Sequence, residues 1–234
     1  MIKEKEINLF ESWKNKPKET IIINNNEYII SHKNSSFVKD GIVNHSEWIK
    51  NENLKIMFFL KEAYYEQDSS LVEDINKKAP WGMWQKISQW IFGLEKTTEN
   101  HIEPLIKKLY FAENNSFLQK IAIVNIKKSN GNSTSNMEEI TAYAKADKDY
   151  IKKQIEIINP KIIICGNTYN FLKNILHEEN LPHINENRFT IVDLFGEEVI
   201  IINYYHPANR YPDILNYYGL LAIYQQALKA KTIK

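Results

Sequence analysis

The stretch that decides the fold is KIMFFLKEAYY (55–65), in which the apolar run KIMFFL passes directly into Lys61-Glu62-Ala63-Tyr64-Tyr65. The same pattern recurs three times. IAIV (121–124) runs into Asn125, KIIIC (161–165) into Gly166-Asn167, and EVIIINYY (198–205) into His206-Pro207-Ala208-Asn209-Arg210. Continuous rather than alternating apolar character marks strands covered on both faces, as in a parallel sheet. In open α/β sheets, ligands bind beyond the carboxyl ends of the strands, where the strand order reverses. A carboxylate, an amide and an imidazole at three such ends read as one pocket, suited to small polar organic chemistry on a nucleobase.

Around these strands the helical periodicity is clear. Trp84, Ile87, Ile91 and Leu94 share one face, and a second helix is expected from His101 to Phe111. Ile140, Tyr143, Ala144, Ile151, Ile155 and Ile158 predict one long amphipathic helix, stopped at Asn159-Pro160. Phe171, Leu172 and Ile175 fit a helix after Gly166, and Ile214, Tyr217, Leu221, Tyr224 and Leu228 a closing one. Upstream, residues 5–14 suit a short helix. TIIINNNEYIIS (20–31) suits either two short strands around Asn24-Asn25-Asn26 or an irregular wrap. Residues 127–136, KKSNGNSTSN, form a low-complexity loop that follows Asn125 and so hangs over the proposed pocket.

Composition narrows the function classes. A chain of 234 residues suits one domain with an extension. Lys plus Arg number 30 against 29 Asp plus Glu, so any polyanion must be met by local positive charge. The lone Cys165 excludes an internal disulfide and any four-thiolate zinc or iron–sulfur site. No signal peptide is evident, and no apolar run approaches the ~20 residues that span a bilayer. The expectation is a cytoplasmic protein with no membrane partner and no obligate protein partner.

The order and spacing of these segments resemble the uracil-DNA glycosylase superfamily, from about residue 55 to 230. The likeness is closest to the branch with Gly-Glu-Ala-Pro-Gly and His-Pro-Ser motifs. Here these read Lys61-Glu62-Ala63-Tyr64-Tyr65 and His206-Pro207-Ala208, with Asn125 between them, and Pro80-Trp81 fits that branch's Pro-Phe. Lys61 replaces a glycine and Tyr64 a proline, and the cysteines of that branch's iron–sulfur cluster are missing. In the main uracil-excising branch an Asp stands at the position of Ala63, which leaves Glu62 as the nearby carboxylate. The resemblance implies residues 1–54 as an N-terminal extension packing on the core and 55–234 as a glycosylase-like domain. The expected architecture is three-layer α/β/α with a mostly parallel four-stranded central sheet.

The chemistry agrees with the residues. Breaking a deoxyribose–base bond builds positive charge on the sugar and negative charge on the departing base, and one fixed donor at that anion is worth ~2.7–4 kcal/mol. His206 is the candidate donor, as a neutral imidazole, and the resemblance gives its matching histidine this role. Glu62 is the candidate to orient or deprotonate the attacking water. Asn125 offers an acceptor and donors for a pyrimidine edge, uracil or cytosine alike. Flipping a base out of a duplex costs a few kcal/mol, and aromatic stacking recovers ~1–3 kcal/mol per base. Trp81 is the candidate platform, Tyr65 a wall near the pyrimidine 5 position, and Ala63 a further contact. Lys127 and Lys128 are candidates to hold phosphates, with Asn209 and Arg210 where the family inserts its DNA-contacting loop.

Plainer readings stand beside these. His206 alone is a turn residue, Asn125 a turn cap, Glu62 a strand-end charge, and Lys127 and Lys128 solvated charges. Trp84 belongs to the core, and His32, His45, His101, His177 and His183 have no metal-ligand spacing. The expected activity is a monofunctional DNA glycosylase, needing no metal or organic cofactor. It would hydrolyse the bond to a flipped-out uracil or modified pyrimidine, in DNA repair by base excision or in defence against modified phage DNA. The alternatives are a non-catalytic protein of the same fold that binds nucleic acid or a nucleotide, and an enzyme acting on free nucleosides or nucleotides.

Overall fold

A strand needs apolar side chains at every position only when helices cover both of its faces, and the four runs are used in that way. The computed structural model describes residues 1–33, 37–52, 54–64, 69–77, 82–106, 111–132, 134–176, 181 and 188–232. The chain opens with α1 (Ile2–Lys14), the hairpin β1 (Glu19–Ile23) and β2 (Asn26–Ile30), the short strands β3 (Val38–Lys39) and β4 (Gly41–Ile42), and α2 (His45–Lys50). The first apolar run is β5 (Ile56–Glu62), followed by β6 (Ser69–Ser70), α3 (Leu71–Lys77), α4 (Met83–Lys96) and α5 (Phe111–Leu118). The second is β7 (Ile121–Lys127), with α6 (Met137–Ala146) and α7 (Lys148–Ile158) behind it. Then come β8 (Ile162–Gly166), α8 (Tyr169–Leu176), β9 (Phe189–Leu194), β10 (Glu197–Tyr204) and α9 (Asp213–Thr232).

Among the described residues the central sheet has six strands in the order β4-β7-β5-β8-β10-β9. The four strands expected from the apolar runs are its parallel centre: β5 pairs with β7 and β8, and β8 pairs with β10. The two strands not anticipated are antiparallel edges, β4 on β7 and β9 on β10. The chain moves outward from β5 to β7 and then returns past β5 to β8. The strand order therefore reverses between β5 and β8, which puts the crevice of an open sheet at their carboxyl ends.

Alternation along each strand divides the interior into two cores. Met57, Phe59, Ala122, Val124, Ile163 and Ile201 face α1, α6, α7 and α8. Phe58, Leu60, Ile123, Ile164, Ile202 and Tyr204 face α3, α4 and α9. Residues 1–54 share the first core through Phe10, Trp13, Ile42 and Trp48, and they supply edge strand β4. The hairpin turns at Asn24 and Asn25, with φ of 46° and 67°, a left-handed pair that asparagine tolerates and that matches strand twist.

Two helix boundaries differ from the sequence expectation. The long helix over 140–158 is broken at Asp147, whose backbone leaves helical geometry at φ −104°, ψ 9°. Its buried carboxylate accepts from Lys16 Nζ and from His32 Nε2, each at 2.9 Å, and these distant partners fix the break. Nor is there helix from His101 as far as residue 106: His101 bridges Thr98, and Leu105 N–H donates to the Tyr218 hydroxyl. Pro104 disfavours helical backbone at the residue before it. The neighbouring helix begins at Phe111, and residues 107–110 lie outside the described residues.

Candidate functional site

His206 stands just past the end of β10, on a turn built by its own partners. Ala208 N–H donates to Nδ1 at 3.1 Å, and the Asn209 backbone and side-chain N–H groups both donate to the His206 carbonyl. A backbone N–H can only donate, so Nδ1 is the acceptor and the proton of the neutral ring is on Nε2. Burial, helped by the Lys61 ammonium, depresses the imidazole pKa to about 4. At neutral pH the ring is thus an uncharged Nε2–H donor. It lies against Gly166 at the end of β8, where a Cβ would come within 3.3 Å of the ring and 2.7 Å of Leu60. A side chain at Gly166 would crowd both Leu60 and the ring, so a glycine lets the ring come this close to β8.

Glu62 ends β5, opposite Lys127 of β7. Its side chain is 5% exposed, and Lys127 Nζ, itself 4% exposed, lies 3.4 Å from Oε2. Among the described residues neither carboxylate oxygen has a hydrogen-bond partner. The loop after β7 closes over it: Gly131 N–H donates to the Ala63 carbonyl at 2.8 Å, and a Cβ on Gly131 would stand 2.8 Å from the carboxyl carbon. Of the loop expected over the pocket, Gly131 is the residue that crosses Glu62.

Asn125 pairs with Leu60, two residues below the end of β7, and is 2% exposed. Its backbone N–H and Nδ2 both donate to Asp40 Oδ2, at 2.7 and 3.2 Å. A carboxylate only accepts, so Asp40 fixes which end of the amide carries the nitrogen. Asp40 also takes Lys128 Nζ at 2.6 and 2.7 Å and Gln154 Nε2 at 2.8 Å. The sequence signal for Asp40 is slight, one acid before Gly41 in a segment outside the motifs.

Glu62, Asn125 and His206 therefore lie along one edge of the sheet, on or just beyond β5, β7 and β10, with Gly166 of β8 between the first and the last. Other expectations need correction. Lys128 is fully buried against Asp40 and the Trp13 ring, so it is neither a solvated charge nor a phosphate contact. Lys127 is also buried, between Glu62 and Glu139. Asn209 spends its amide on Asn216, the His206 carbonyl and Tyr211 N–H, clamping the turn rather than facing outward. Arg210 is exposed. Tyr65 and Trp81 lie outside the described residues. Beside His206 the structure adds an aromatic group the motifs did not flag: Arg188 lies 4.6 Å from the Tyr205 ring centre, and Tyr205 packs on Tyr211 at 5.1 Å.

Elsewhere, a groove of about 450 Å³ between α1 and α7 is lined by Ile2, Leu9, Ile157 and a few charged residues, away from the strand ends. Among the described residues no three His, Cys, Asp or Glu are placed to hold a metal ion, and no helix is long and apolar enough to cross a membrane. No protein-family model matches the chain, and no curated protein matches it significantly.

Proposed function

We propose that this protein is a monofunctional DNA glycosylase that hydrolyses the N-glycosidic bond of a flipped-out uracil or modified pyrimidine and leaves an abasic site. The observation that carries the reading is the state of His206: neutral, with Nδ1 occupied by Ala208 N–H, which leaves Nε2–H as the ring's donor at the switch-point edge of the sheet. As the C1′–N bond breaks, its electron pair goes to the base, and Nε2–H donates to the carbonyl oxygen on which that charge gathers. A neutral donor suits this step because it stabilises a developing anion without first having to gain a proton. Glu62 faces the opposite charge. Its carboxylate favours the cationic sugar and takes the proton of the water that attacks C1′.

The likeness of KEAYY, Asn125 and His206-Pro207-Ala208 to the glycosylase motifs supports the same reading, as does the sheet order that puts all three at one edge. On it the partner is DNA, with Arg210 and Tyr211 beside the site, and the compartment is the cytoplasm. One observation favours the non-catalytic alternative: the Glu62 carboxylate is shielded by Gly131.

Base release from oligonucleotides carrying uracil or modified cytosines, followed by mass detection, tests the proposal. The purified protein should release a free base and leave an alkali-labile site. His206→Ala and Glu62→Gln should each lower the rate at least ~100-fold. A protein that binds these oligonucleotides with unchanged affinity in both variants, and releases nothing, is the binder instead.

A further inference from the structure

Lys127 is read from sequence as one of two loop lysines in solvent, and the structure gives it a different task. Its side chain is 4% exposed and its ammonium lies between two carboxylates, Glu139 Oε1 at 2.8 Å and Glu62 Oε2 at 3.4 Å. The Tyr143 ring lies beneath it at 5.5 Å, and Ser129 Oγ donates to the Tyr143 hydroxyl at 2.8 Å, tying the start of the loop to α6. The two contacts differ in kind. Glu139, 27% exposed, makes the short one. Glu62, almost wholly buried, makes the long one and has no hydrogen bond at either oxygen.

A buried carboxylate that has lost its water needs a cation nearby or it takes up a proton. Among the described residues Lys127 is the only cation within 4 Å of Glu62. One cation shared by two acids leaves the group with a net negative charge, and among the described residues the hydrogen-bonding capacity of both buried Glu62 oxygens is unused. A water molecule reaching them would find two acceptors.

We infer that Lys127 is the positioning residue for Glu62, pairing its charge and aiming it without consuming its oxygens, while Glu139 keeps Lys127 itself in place. This rests on the glycosylase reading for the use to which Glu62 is put, but not for the pairing. Lys127 touches no substrate in this scheme.

The test compares the wild type with Lys127→Met, Lys127→Arg and Glu139→Gln. With ¹³C-labelled glutamate, and Glu62→Gln to assign the signal, the Glu62 carboxyl resonance at pH 7 should read as carboxylate in the wild type, Lys127→Arg and Glu139→Gln, and as carboxylic acid in Lys127→Met. Base release at pH 7 should fall ~100-fold in Lys127→Met, recover in part as the pH is raised, and stay within ~10-fold of wild type in Lys127→Arg. Should Lys127→Met not fold, Lys127→Gln makes the same comparison. A carboxylate signal that persists at pH 7 without the lysine overturns the inference. A wild type that releases no base, while the carboxyl signal still follows Lys127, overturns the glycosylase reading and leaves the pairing standing.

Discussion

Removing Lys128 from beneath the sheet edge should unsettle both the fold and Asn125. The Asp40 carboxylate collects Lys128 Nζ at 2.6 and 2.7 Å, Gln154 Nε2 at 2.8 Å, and the Asn125 N–H and Nδ2. Both side chains of the ion pair are fully buried, and Lys128 Nζ also donates to the Asn125 carbonyl at 2.9 Å. In Lys128→Met the methylene stem is roughly conserved but Asp40 is left buried without a cation, at a cost of ~3–5 kcal/mol. Asp40→Asn strands the ammonium instead, and burial already pulls the Lys128 pKa down. For a chain of this size ~1 kcal/mol shifts Tm by about 2–4 °C, so each single variant should melt roughly 6–20 °C lower. In the double variant the second change meets no stranded partner, so its loss should fall short of the sum by ~2 kcal/mol or more. Urea denaturation followed by circular dichroism, run as a double-mutant cycle, measures all three. Single losses below ~1 kcal/mol, or strict additivity, would refute the view that this pair is a buried, mutually dependent unit.

Two further outcomes follow from the same geometry. The His206 pKa is about 4 when folded against 6.5 ordinarily, so between those values the unfolded chain binds the extra proton. Stability from this ring is complete above about pH 6.5 and is lost as the pH falls toward 4. At about 1.4 kcal/mol per pH unit the loss is at most about 3.5 kcal/mol, less for the ring's remaining contact with solvent. An imidazole resonance of His206 that titrates near 6.5 would contradict this. Gly131→Ala should cost ~1–3 kcal/mol, because the new methyl meets the Glu62 side chain at 2.6–2.8 Å, and base release should fall with it. A variant as stable and as active as the wild type would show that the loop does not rest on Glu62.

The parallel centre of the sheet was legible because strands buried on both faces announce themselves: IMFFL, IAIV, IIIC and EVIII contain little else to read. Its edges were not. Gly41–Ile42 is too short to show a period, and Phe189–Leu194 is half exposed and mixed in character. Apolar pattern reports which residues are inside but not which charges find each other. Lys127 and Lys128 look alike in the sequence, yet each is buried by an acid from elsewhere, Glu139 on α6 and Asp40 before β4. The break at Asp147 was hidden for the same reason, since Lys16 and His32 lie more than a hundred residues upstream. Glu62 and His206 were legible as strand-end positions, which depend only on where the apolar runs stop, whereas Asn125 lies two residues inside β7. What holds those three in place is set by tertiary neighbours, and it became visible only in the folded chain.

Asp40 gives the first fifty-four residues a meaning that their distance from the motifs conceals. A fragment beginning at Lys55 would retain every resemblance to a glycosylase and lose the acceptor that steadies Asn125, the counter-ion of Lys128 and one border of the sheet. The working unit therefore reaches back well past the first motif, and a shortened version that fails to turn over would speak to a missing brace before it spoke to the chemistry.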